Sequence, residues 1–230
     1  MAELKRYERG AEIAKEERKQ PMIQLIGYDI YPEDLELLCA RDTFTQEDFE
    51  QLFTVKTGSW YVEDGWVVGK NPEMCPGMIV SKQDYLGNTL LEITAKMVAP
   101  STHDINVMIN GEWDDTLNRR VNAYVAGMEG FWHGCIGFEK SPDYKLWAAT
   151  QLLQFDPTKE YRFKMGSLNG RVFVMVNDMI ALQVSVPEPI DLQKYGKIGF
   201  EAFSSWWKFK EMRVYRIHSE FVKEYYNREF

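Results

Sequence analysis

The chain has 230 residues, an apolar content of 45%, and 35 acidic against 27 basic side chains, for a net charge of −8. That charge excludes a nucleic-acid partner, whose phosphates require a basic footprint. No run approaches the roughly 20 apolar residues of a membrane-spanning helix.

Residues 3–19 interleave Lys and Arg with Glu, and place Leu4, Tyr7, Ala11 and Ala14 at helical spacing. A solvated helix is expected there, closed by Pro21. Docking of a protein partner or a second copy through residues 3–34 is a further possibility. The stretch has no apolar core of the kind a secretory leader carries, so a cytoplasmic protein is expected. Cys39, Cys75 and Cys135 are odd in number and widely spaced, which fits free thiols rather than a zinc site. No metal site is read from the spacing, and no cofactor is assigned.

Residues 22–34 read as an extended connector, and the main domain is taken to span residues 35–218. LELLCARD, from Leu35, has strand character. In TFTQEDFEQLF, Thr45 is a plausible N-cap with Asp48 at the third helical position. GSWYVEDGWVVGK is a hairpin turning at Glu63-Asp64-Gly65. Residues Asn71 to Gly77, with two prolines, read as a loop. LLEITAKMV alternates so that Leu91, Ile93, Ala95 and Met97 face one way and Glu92, Thr94 and Lys96 face water.

EYRFKMG repeats that alternation. RVFVMVN is apolar on both faces and belongs in the centre of a sheet. Asn169-Gly170 and Asn177-Asp178 are turn pairs. In WWKFKEMRVYRI the apolar phase slips between Phe209 and Met212, which calls for a bulge near Lys210–Glu211. The tail, residues 219–230, reads as a possible short helix over a sheet edge. About a dozen short strands with turn signals between them define an all-β, antiparallel, two-sheet jelly-roll sandwich of the concanavalin A-like kind, with a short N-terminal helical extension.

Several of these segments resemble a known family. HDIN at His103–Asn106, GFWH at Gly130–His133, RFKMGSLNGRVFVMVND, and GKIGF at Gly196–Phe200 are similar to the YesU-like sandwiches, a group of unassigned activity. The likeness to the 3-keto-disaccharide hydrolases is more distant. It rests on the early Trp-containing hairpin and the late G-x-I-G-F strand. The resemblance spans roughly residues 35–218 and implies a concanavalin A-like fold and a carbohydrate ligand.

Two segments concentrate polar groups. In HDINVMINGEWDD, strand alternation places Asp104, Asn106, Met108 and Asn110 on one face, with Trp113 just beyond. Such a face either binds sugar hydroxyls or is a solvated outer surface. In GMEGFWHGCIGFEKSP, Glu129, Trp132, His133 and Glu139 lie in a glycine-punctuated hairpin, where backbone can approach a ligand closely. The candidate catalytic groups are His133, Glu139, Glu129 and Asp104, because acid/base cleavage of a glycosidic bond needs a paired donor and acceptor. Candidate substrate-binding residues are Asn106, Trp113, Tyr124, Trp132, Lys145 and Trp147. No phosphate loop, dinucleotide fingerprint or serine elbow is found. The function expected is cleavage of a small glycoside or oligosaccharide, by hydrolysis or lyase chemistry. A lectin-like binding sandwich and an interaction subunit are the alternatives.

Overall fold

The computed structural model describes residues 20–130, 134–143 and 145–222. The expected helix over 3–19 lies outside them, as does the tail beyond residue 222. Residues 219–222 have no regular structure.

The chain divides into two compact units. The smaller contains residues 20–35 and 219–222. Its hairpin joins β1 (Ile23–Leu25) to β2 (Tyr28–Ile30), followed by a 3-10 turn over Pro32–Asp34. The expected extended connector is thus a hairpin. Ile23, Leu25, Tyr28 and Ile30 alternate inward, and Gly27 supplies the φ of +84° that its turn requires. Phe221 packs edge-on against Tyr28, with ring centroids 5.6 Å apart. The Val222 N–H donates to the Gly27 carbonyl at 2.9 Å.

The larger unit, residues 36–218, is an antiparallel jelly-roll sandwich. It opens with β3 (Leu35–Arg41), the short helix α1 (Gln46–Leu52), β4 (Phe53–Val55) and β5 (Ser59–Glu63). Two long central strands come next in chain order, β6 (Trp66–Ser81) and β7 (Thr89–Met97). Then follow β8 (Ile105–Asp114), β9 (Arg119–Val121), β10 (Tyr124–Met128), β11 (Ile136–Lys140) and β12 (Leu146–Thr150). The chain closes through β13 (Glu160–Leu168), β14 (Arg171–Val176), β15 (Met179–Ser185) and β16 (Lys197–Ile217).

Two strands belong to both layers. The first half of β16 pairs with β8 on one side and with the second half of β6 on the other. Its second half pairs with β7 and with the first half of β6. One sheet therefore runs β12-β11-β10-β8-β16-β6-β4, and the other runs β15-β14-β13-β7-β16-β6-β5. The change of layer falls where the β16–β6 register slips between Phe203 and Ser205, with Ser204 at a φ of +52°. Strands that switch sheets characteristically do so at such irregularities. Phe200 and Phe209, from the two halves of β16, stack at 3.9 Å in the middle of the core, beside Trp207, Phe53 and Ile79.

The Asp64-Gly65, Asn169-Gly170 and Asn177-Asp178 turns all have positive φ at both residues. That geometry suits a two-residue hairpin between right-twisted strands. β14 lies between β13 and β15, as its apolar faces require. The bulge falls between Lys210 and Arg213, with Glu211 at a φ of +52°.

Two local expectations are corrected. Asn71 to Gly77 is not a loop but the middle of β6. Here β6 has β16 on one side, while β4 and β5 pair only with its two ends. Prolines can therefore sit in it without removing a ladder bond. The polar face of β7 is only partly open to water, at Lys96. Thr94 donates to Glu211 at 2.6 Å, and buried Lys164 lies 3.1 Å from Glu92 and 3.0 Å from Asp178.

Candidate functional site

The polar groups of β8 lie on the face of the first sheet turned away from the main core. Register fixes this. Asn106 stands opposite Gly127 of β10 and Glu201 of β16. Met108 stands opposite Val125, which stands opposite Glu139 of β11. Val80, Met78, Met108, Val125 and Ala123 form a small apolar cluster on this face, with Trp113 packed against it. Asn110 departs from the expected alternation. It sits at a φ of +47°, where the pairing with β16 slips, and its amide donates to the Gly87 carbonyl at 3.1 Å.

The face is neither solvated nor open at its polar end. Asp104 is 4% exposed. One of its carboxylate oxygens accepts from Asn106 Nδ2 at 2.8 Å, and the other from the Phe203 N–H at 2.8 Å. Burial outweighs these bonds and the Arg120 charge, and pushes the Asp104 carboxyl up to about 6. Among the described residues Asn106 Oδ1 is buried without a hydrogen-bond partner. The room for both side chains comes from glycines. A Cβ on Gly130 would lie 1.9 Å from Asp104 Oδ1, and one on Gly127 would lie 2.0 Å from Asn106 Oδ1.

Beside them Arg120, on β9, is 2% exposed. Its guanidinium bonds Glu139 with one nitrogen and Glu201 with another, and its Nε donates to Ser141 Oγ at 3.1 Å. The candidate acid Glu139 is therefore half of a buried carboxylate–guanidinium–carboxylate bridge. Such a bridge holds its members strongly, because losing one strands a charge away from water.

The other sequence candidates are spread more widely. Glu129 follows β10 at a φ of +59° and accepts from the Gly134 N–H at 3.0 Å. Tyr124 is a core residue whose hydroxyl accepts from the Ile190 N–H at 2.8 Å, so its ring faces no ligand. Trp147 is 41% exposed on the edge strand β12, with Lys140 Nζ 5.7 Å above its ring. Lys145 is exposed just before that strand. Trp132 and His133 lie outside the described residues. Asp104, Asn106 and Glu139 thus come together with Arg120 and Glu201. Trp147 lies on the edge strand of the same sheet with Lys145 just before it, and Trp113 lies further along the same face.

Trp113 opens onto a cavity of about 520 Å³. Tyr195 lines it too, with four lysines: Lys56, Lys82, Lys194 and Lys197. Three carboxylates, Asp84, Glu112 and Asp115, complete its rim. β8 supplies Gly111–Trp113, the end of β6 supplies Val80 and Ser81, and the turn before β16 supplies Lys194 and Tyr195. Both aromatic side chains are half-buried.

Sequence reasoning missed Arg120, Glu201, Tyr195 and the lysines. A charged residue inside the otherwise apolar run GFEAF was the available signal for Glu201. The lysines carry no local signal, since they meet only through the fold. Among the described residues no group of three or more His, Cys, Asp or Glu side chains is placed to hold a metal. No helix there is long and apolar enough to cross a membrane.

No family model and no curated protein matches the chain. Solved structures do share its fold. A Bacillus subtilis protein of unknown function with a galectin-like fold superposes with a TM-score of 0.62 at 12% identity, covering 80% of this chain and 98% of that one. The carbohydrate-binding module CBM66 from Bacillus subtilis gives 0.57 at 14% identity, over 70% and 92% of the two chains. A Bacillus licheniformis beta-glucanase gives 0.55 at 12% identity, over 77% and 97%. The chain is therefore similar in fold to galectin-like, carbohydrate-binding and glucanase sandwiches.

Proposed function

We propose that this protein binds a saccharide in the cavity beside Trp113 and Tyr195. The observation that carries the reading is the composition of that cavity. Two half-buried aromatic side chains offer apolar ring faces for the C–H surface of a sugar, while ammonium and carboxylate groups around them donate and accept for its hydroxyls. The volume lies within the roughly 300–1,000 Å³ typical of small-ligand pockets. Similarity in fold to a carbohydrate-binding module and a beta-glucanase supports a carbohydrate ligand, and fold alone does not assign the role. The resemblance to the YesU-like sandwiches agrees with it and adds no substrate.

Binding is placed ahead of cleavage because Glu139 is held in a buried ion pair with Arg120 through its Oε1. Cleavage is kept as a weaker second reading: the Asp104 carboxyl is raised to about 6, in the range of an acid catalyst, but it is buried and both its oxygens accept hydrogen bonds. Isothermal titration against a panel of neutral and acidic oligosaccharides tests the first reading, with chromatography of the mixtures to detect products. Trp113→Ala and Tyr195→Ala are each expected to weaken binding at least tenfold while the Tm stays within a few degrees. Absence of any saccharide binding, or variants that bind like the parent, overturns it. Product formation that Asp104→Asn abolishes would establish the second reading.

A further inference from the structure

The lining of the Trp113–Tyr195 cavity reverses the charge balance of the molecule. The whole chain carries 35 acidic and 27 basic residues, yet this cavity gathers four lysines and three carboxylates. The pairing within it is uneven. Lys56 Nζ is 2.7 Å from Asp115, and Lys197 Nζ is 3.3 Å from Asp84. Both carboxylates are well exposed, at 79% and 50% of their side-chain surface, so each is free to swing into water.

The other two lysines differ. Among the described residues neither Lys82 nor Lys194 has a carboxylate within ion-pair distance. Lys82 Nζ donates to the backbone carbonyl of Glu50, and Lys194 Nζ lies 4.8 Å from the centre of the Tyr195 ring. A hydrogen bond with Tyr195 leads the influences that raise the Lys194 pKa, so its ammonium is charged at neutral pH. Among the described residues neither ammonium group is directly ion-paired, and the charges of Glu112 and Asp191 reach Lys194 only at longer range.

We infer that the saccharide taken by this cavity is an anionic one, carrying a carboxylate or sulfate group that Lys82 and Lys194 neutralise while Trp113 and Tyr195 carry the ring. A neutral sugar would give neither ammonium group a direct ion pair. An anionic one supplies charge-assisted hydrogen bonds, which are stronger than neutral ones. The inference rests on the saccharide-binding reading of the same cavity, and narrows it to a ligand class.

The test titrates the full chain with matched pairs that differ only in the acid: xylo-oligosaccharides with and without a glucuronate branch, and galacto-oligosaccharides with and without sulfate. One acidic member is expected to bind at least tenfold more tightly than its neutral partner. The pair that discriminates identifies carboxylate or sulfate as the group recognised. Lys82→Met with Lys194→Met should remove that preference, weakening the acidic member far more than the neutral one. Raising sodium chloride from 50 to 500 mM should erode the preference several-fold. Equal affinity within both pairs overturns the anionic assignment and leaves the saccharide reading standing. A preference that the double variant retains overturns the assignment to these lysines. Absence of binding to all four probes overturns the reading and the inference together.

Discussion

Asp104 shows how one residue can be placed by hydrogen bonds and still be at odds with its charge. Both oxygens of its carboxylate accept bonds, yet the group lies 4% exposed beneath Gly130. Removal from water penalises the ionised form more than the bonds and the Arg120 charge favour it. The folded state therefore holds the proton to about pH 6, whereas the unfolded chain loses it near the ordinary value of 3.8. Between those values the folded state binds more protons, so this group's contribution to stability falls as pH rises, and reaches ~3 kcal/mol of destabilisation at neutral pH. Asp104→Asn removes the titration. Its Tm relative to the parent should rise from pH 4 to about pH 6 and then level off toward pH 7, measured by calorimetry. A difference that is flat or falls across that range would show that Asp104 titrates as an ordinary carboxylate.

At the level of single elements, local chemistry sets boundaries where it is strong. α1 starts at a reciprocal cap: Thr45 Oγ1 accepts from the Asp48 N–H at 3.1 Å, and Asp48 Oδ2 accepts from the Thr45 N–H at 3.0 Å. The helix has only seven residues and buries a single one of them, Phe49. Thr45→Ala should therefore cost about 1 kcal/mol, read as a lower urea midpoint with an unchanged slope. The same kind of signal made Asp64-Gly65 and Asn169-Gly170 legible as turns from sequence, since few residues other than Gly, Asn and Asp accept a positive φ. Pro72 and Pro76 misled for the opposite reason. Their constraint is on donating a hydrogen bond, and only the pairing of β6 reveals that no donor is needed there. Alternation in HDINVMIN correctly placed Asp104 and Asn106 on one face, but alternation names a face and not what covers it. The cover is Arg120, held by Glu139 nineteen residues away and Glu201 eighty-one residues away, a separation that no local pattern encodes.

For the whole molecule, the sharing of β6 and β16 between the two sheets decides how stability is distributed. β16 is bordered by β6, β7, β8 and β3 along its length, and Phe200, Trp207, Phe209, Met212 and Val214 bury fully from it. Its amides from Ile198 to Ala202 and from Trp207 to Val214 should exchange with solvent only through global unfolding, and those of the edge strands β12 and β15 far sooner. Hydrogen exchange read by mass spectrometry or NMR checks the ranking. Edge-strand amides that outlast those of β16 would mean that the two layers separate before the shared strands open.

A continuous strand that serves both layers also rules out dissection. Either layer expressed by itself would have to include β16, and would then display half of that strand with its ladder groups and its Phe and Trp side chains bare. The molecule therefore has no smaller working fragment within residues 36–218. A truncation meant to isolate the cavity would produce a sticky half-sandwich in place of a minimal binding module.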